Sequence, residues 1–172
     1  MTTKSAEIVT LDEAKKQVEI AGRRIALLHL AYAKMLVEEF GEERGRKLIL
    51  KAIKDYGIRI GEKVKRGEQD LPKYGLHERA EWVEVKGEKR ARAYGCVLAK
   101  EWSEWREDSL GRLYCYVDPA KTMSINPSEK LVHMKAIPDG DDYCELVVRP
   151  TTERERKDFT DKDADWEYID KT

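Results

Sequence analysis

Apolar residues between Val18 and Met35 recur at alternating steps of three and four, through Ala21, Ile25, Leu28 and Tyr32. Helical geometry puts that spacing on one face, whereas a half-buried strand alternates at every second residue. Thr10-Leu11-Asp12-Glu13 supplies a start, because a Thr hydroxyl and a Glu three residues on can cap the free amides of a helix N-terminus. Gly41 supplies the stop. Leu27, Leu30 and Leu36 lie off the stripe, so this helix is apolar on more than one side and should meet more than one neighbour. A second copy of the chain is one such neighbour, and association through the N-terminal helices into a homo-oligomer is expected.

A second helix follows over 42–66, with Ile49, Ile53, Tyr56, Ile60 and Val64 on one face. Gly57 and Gly61 interrupt it at a cost of about 1 kcal/mol each relative to Ala. That cost is reasonable where another backbone approaches closely. The stretch 67–75, with Pro72, breaks the pattern and connects this helical half to a mixed half. There, Trp82 to Tyr94 around Gly87 reads as a hairpin and Val97 to Trp105 as a short amphipathic helix, while Leu110 to Val117 is a strand by content or, the preferred reading, a helical turn bounded by Ser109 and Pro119. Leu131 to Ala136 and Tyr143 to Arg149 flank the turn Pro138-Asp139-Gly140-Asp141-Asp142 and should pair as an antiparallel hairpin, bringing His133 near Cys144.

The fold class expected is α+β: a helical N-terminal half (10–66) packed against a small antiparallel β-sheet with additional short helices (76–150), forming one domain over 10–150. Residues 1–9 read as a flexible leader. Residues 151–172 are acidic, with only Phe159, Trp166, Tyr168 and Ile169 able to dock, and read as a mobile tail.

Composition narrows the partners. With 33 basic against 34 acidic residues and a net charge of -1, the chain has no general field to gather a polyanion, so no nucleic acid is expected. There is no signal-peptide core and no run near ~18 apolar residues, so no membrane partner and a cytoplasmic location are expected. The 3 cysteines are odd in number and lie far apart without a C-x-x-C pair, which fits reduced thiols rather than a disulfide framework or a zinc knuckle. Neither metal nor cofactor is expected, although Cys96, Cys115, Cys144 and His133 are ligand types that zinc accepts.

Reactive groups crowd between Leu110 and Cys144. Cys115 and Asp118, at i and i+3, share a face if their segment is helical, so a carboxylate could orient water beside a thiol. His133 could move protons near neutral pH. The plainer alternatives are a buried small thiol, a helix-end cap before Pro119, and a hydrogen-bonded core imidazole.

Cys96, then Gly111-Arg112-Leu113-Tyr114-Cys115-Tyr116-Val117-Asp118, then Asn126-Pro127, then Gly140-Asp141-Asp142-Tyr143-Cys144-Glu145 occur in an order and spacing that resembles the L-2-amino-thiazoline-4-carboxylic acid hydrolase-like family, over roughly residues 27–148. The resemblance implies a hydrolase acting on a C–N bond of a small cyclic amidine or related amide, as in thiazoline ring opening to an N-carbamoyl-cysteine type product. The candidate catalytic residues are then Cys115, Asp118 and His133, and the candidates against the substrate are Cys96, Arg112, Asn126, Asp141 and Cys144. One departure follows Cys96, where a small polar residue and then an acidic one are expected. Val97-Leu98-Ala99-Lys100 intervene before Glu101, which is left to fill the acidic position. The closing Gly-x-x-x-Cys hairpin is also similar to that of vinyl-reductase-type small-molecule-binding domains, which implies a second reading: a binding or sensor module without catalysis.

Overall fold

The structure is a computed structural model that describes residues 8–170; the leader expected over 1–9 lies outside the described residues except for its last two. Thr10 caps the first helix, α1 (Leu11–Phe40), by accepting a hydrogen bond from the Glu13 amide. Gly41 turns the chain with a positive φ of 78°, and α2 (Glu42–Lys65) runs back beside α1. Four strands follow: β1 (Arg79–Val85), β2 (Glu88–Tyr94), β3 (Glu129–Lys135) and β4 (Cys144–Pro150). They form one antiparallel sheet in the order β1-β2-β4-β3. Between β2 and β3 the chain makes α3 (Val97–Glu104), α4 (Asp108–Arg112), a 3-10 turn (Leu113–Tyr116) and α5 (Val117–Ile125). The α+β class and the helical N-terminal half are as expected. Among the described residues no helix is long and apolar enough to cross a membrane.

The glycines of α2 fix the position of α5. A Cβ at Gly57 would stand 2.5 Å from the Ala120 Cβ, and one at Gly61 would stand 2.8 Å from the Ser124 hydroxyl. The two helices therefore touch backbone to backbone, and this contact holds Asp118, on the first turn of α5, at a fixed depth. Pro119 does not end a helix here. It is the third residue of α5, in the first turn, where no intrahelical N–H bond is lost.

Two expectations are corrected. The stripe through Ile25, Leu28, Tyr32 and Met35 does not face the core. Leu28 and Tyr32 are 58% and 61% exposed, while the buried face of α1 is Gly22, Ala26, Leu30 and Ala33. Small side chains win because they let neighbouring elements come close: a Cβ on Gly22 would lie only 3.2 Å from Val97. The second correction concerns residues 151–170, which are packed rather than mobile. Thr152 and Glu155 close a reciprocal capping box that starts α6 (Glu153–Thr160), and a 3-10 turn follows at Glu167–Asp170. Phe159, Trp166 and Ile169 enter the core formed by α1, α2 and α5. Beside them Lys130 and Glu155 form a buried ion pair at 2.6 Å.

Candidate functional site

α5 presents Asp118 towards β3, where His133 stands with its side chain almost wholly buried. His133 Nε2 lies 3.7 Å from Asp118 Oδ2, within ion-pair reach and beyond a direct hydrogen bond. On its other side His133 Nδ1 is 3.1 Å from Asp170 Oδ2, and its backbone amide donates to Asp170 Oδ1 at 2.8 Å. Asp170 is fully buried and also accepts from Arg112 Nη2 at 2.7 Å. Arg112 Nε reaches Asp139 at 2.9 Å, and Lys121 joins Asp118 (3.3 Å) to Asp70 (2.6 Å). The imidazole thus sits between two carboxylates, each held from behind by a cation.

The electrostatics assign the imidazole's hydrogen. Burial works to raise the Asp170 carboxyl, but His133 and Arg112 outweigh it and hold the group below the ordinary carboxylate range. An ionised Asp170 can only accept, so Nδ1 carries a hydrogen and donates it. Nε2 is left as the working nitrogen, facing Asp118.

The thiols lie within electrostatic reach of Asp118. Cys115, in the 3-10 turn, is raised well above a free thiol by burial, with Asp118, Cys96 and Cys144 adding to the rise and Arg112 opposing it. Burial also raises Cys96, at the start of α3, and lifts Cys144 to about 11. Cys96 and Cys144 act electrostatically on Cys115, and Cys96 acts on Cys144, so three cysteines spread along the sequence are within electrostatic reach of one another. All three are free, and all are neutral at neutral pH. Among the described residues no group of three such side chains is placed to hold a metal ion.

Of the residues expected from the sequence, Cys96, Arg112, Cys115, Asp118, His133 and Cys144 come together. The β3–β4 register supports this, since His133 faces Leu146 across the ladder and Cys144 is one pleat further on the same face. Asn126 and Asp141 do not join them. Asn126 is exposed and accepts from the Ser128 amide, and Asp141 accepts from the Ala136 amide; both brace turns. Glu101 is likewise occupied, holding Arg23 at 2.8 Å and the Trp105 indole at 3.0 Å. Asp170 and His77 are additions. His77 is near enough for Asp118 to oppose the lowering that burial causes in it. The sign of Asp170 in the sequence was slight: an acid next to Ile169, in a segment whose few apolar residues dock.

A cleft of about 750 Å³ opens on the Asp170 side, lined by Arg46, Ser109, Arg112, Tyr116, His133 and Asp170 among others. Its size suits a small ligand. The thiols and Asp118 lie outside its lining, behind His133 and Arg112. Arg112 Nη1 is buried without a hydrogen-bond partner.

The family model described as L-2-amino-thiazoline-4-carboxylic acid hydrolase matches residues 22–148. The chain belongs to this family. The matched span holds every residue of the thiol, Asp118 and His133 cluster, whereas Asp170 lies beyond it. Comparison with curated proteins gives no match. Among solved structures, a trafficking protein particle complex subunit 3 from Naegleria fowleri, covalently bound to palmitic acid, is similar at 13% identity and a TM-score of 0.48, over 78% of this chain and 97% of that one.

Proposed function

We propose that this member of the thiazoline-carboxylate hydrolase family hydrolyses a small cyclic amidine of the 2-amino-thiazoline-4-carboxylate type. The observation that carries the reading is the imidazole held between Asp118 and Asp170 beside three neutral thiols. Nε2 and an Asp118 oxygen stand 3.7 Å apart, beyond a direct hydrogen bond, so each keeps hydrogen-bonding capacity for a polar partner beside it. A water molecule or an amidinium N–H fits that need.

In the proposed step, water adds across the C=N bond with one of its protons passing through His133 to the ring nitrogen, and the tetrahedral intermediate then collapses to the carbonyl and expels the ring sulfur, which receives the remaining hydroxyl proton through Asp118 and His133. Conservation of atoms corrects the bond named from the sequence. An N-carbamoyl-cysteine product keeps both nitrogens on the former amidine carbon, so the bond that breaks is ring C–S, and the product carries a free thiol. Breaking the ring C–N bond would give a free amine and an S-carbamoyl group instead. Arg112, with one unpaired guanidinium nitrogen, is the donor for the substrate carboxylate. Cys115, neutral and outside the lining of the cleft, is not the attacking group, because a thiol attacks as its thiolate.

The test is turnover of 2-amino-thiazoline-4-carboxylate by purified protein, following release of thiol and of amine. Asp118→Asn should lose about 10²–10⁴-fold in kcat, as for removal of a general acid or base, while Cys115→Ala retains most of it. Loss of all activity in Cys115→Ala with intact folding would make the thiol the nucleophile. Binding without turnover would leave the non-catalytic, small-molecule-binding reading standing.

A further inference from the structure

We propose that two copies of this chain associate through the outer face of α1, antiparallel, about a two-fold axis at Ala31. The outward face of α1 carries two adjacent rows at helical spacing. One is Ile25, Leu28, Tyr32 and Met35, and the other is Arg24, Leu27, Ala31 and Glu38; all are exposed. Among the described residues nothing covers them, although α1 buries its small residues inward and turns its large ones out. The apolar part exposes on the order of 500 Å², a large patch for a monomer and most of the ~800 Å² per partner of a standard interface.

The charge pattern selects the occupant. Arg24 stands seven residues before Ala31 and Glu38 seven after it, two helical turns each way. Among the described residues neither makes an ion pair at contact distance, although Arg23 and Lys34 do, and Glu38 acts on Lys34 only through space. Reversing a second α1 about Ala31 brings Arg24 opposite the second copy's Glu38 at both ends of the contact. It also sets Leu27 against the second copy's Met35 and Leu28 against the aliphatic stem of its Lys34, and small Ala31 side chains at the crossing let the axes approach to about 8–10 Å. A parallel pairing would instead place Arg24 against Arg24. The pattern is complementary to its own reversed copy, which is the condition for a closed two-fold contact.

Sedimentation velocity on the full chain at tens of micromolar should give a dimer. Leu28→Glu with Tyr32→Glu should give a monomer whose far-ultraviolet dichroism is unchanged. Arg24→Glu should weaken association about tenfold or more, as facing like charges do, and Arg24→Glu with Glu38→Arg should restore it. Ala31→Cys should cross-link as a dimer under mild oxidation where the wild-type chain does not; these last two results remain decisive if the double glutamate variant fails to fold. A wild-type monomer under these conditions overturns the proposal and leaves the face to a different partner. A dimer that survives the glutamate substitutions, or that the charge swap fails to restore, overturns the face or the register.

Discussion

Replacing Asp170 by Asn tests the docked C-terminal segment directly. The wild-type carboxylate is wholly buried and receives the His133 amide, the His133 imidazole and Arg112 at 2.7–3.1 Å. The amide is nearly the same shape but places an N–H₂ against either the Arg112 guanidinium or the His133 backbone N–H, so one donor faces another. Arg112 keeps Asp139, which is exposed, and loses its buried counter-charge. Removing one partner of a buried ion pair costs about 3–5 kcal/mol, and the surviving Asp139 contact puts this case near the low end. At about 2–4 °C per kcal/mol for a chain of this size, Tm should fall by roughly 6–12 °C. Urea titration should show a lower midpoint with an unchanged slope. The pH dependence has a definite sign. Because the folded carboxyl lies below its unfolded value of about 3.9, its stabilisation is complete above about pH 5 and is lost as pH falls through the folded value. The gap between wild type and Asp170→Asn should therefore close in acid. A difference under about 1 kcal/mol at pH 7, or one that is the same at pH 7 and in acid, would refute the buried triad of Arg112, Asp170 and His133.

Gly57→Ala should destabilise by about 1–3 kcal/mol in urea melts, because overpacking against Ala120 outweighs the gain of about 1 kcal/mol in helix propensity; a stabilised variant would mean that α2 and α5 are further apart. Alkylation of Cys144 by iodoacetamide should be slow at pH 7.5 and keep accelerating beyond pH 9 towards its raised value of about 11, a profile read by mass spectrometry of the modified peptide. A plateau at pH 8–9 would show an ordinary exposed thiol.

The long helices and the two hairpins were legible because their signals are local: a cap at Thr10, a stop at Gly41, and turns at Gly87 and Pro138 to Asp142. Which face of α1 is buried was not, because periodicity reports that a side is apolar and says nothing about what lies against it. The small residues Gly22, Ala26 and Ala33 lack the hydrophobicity to stand out in a pattern, yet they set how closely α3 and α2 approach. Residues 151–170 misled for a related reason: abundant charge hid Phe159, Trp166 and Ile169, and some of that charge is itself buried and paired, as Glu155 is with Lys130. In the site, the convergence of Cys115, Asp118 and His133 could be anticipated from one helical turn and one hairpin. Asn126 and Asp141 could not be separated from it by motif alone, since a residue that braces a turn and one that touches a ligand look alike in sequence.

The position of Asp170 along the chain has a consequence for synthesis. Chains emerge from the ribosome N-terminus first and fold as their segments become available. Both long helices, the sheet and the thiols can assemble while the carboxylate that fixes the His133 hydrogen is still unmade or held in the exit tunnel. Until it arrives, Arg112 lacks its buried counter-charge and Nδ1 lacks its acceptor. A turn translated after the whole sheet therefore completes the site, and a nascent chain has the fold's framework before it has a correctly oriented imidazole.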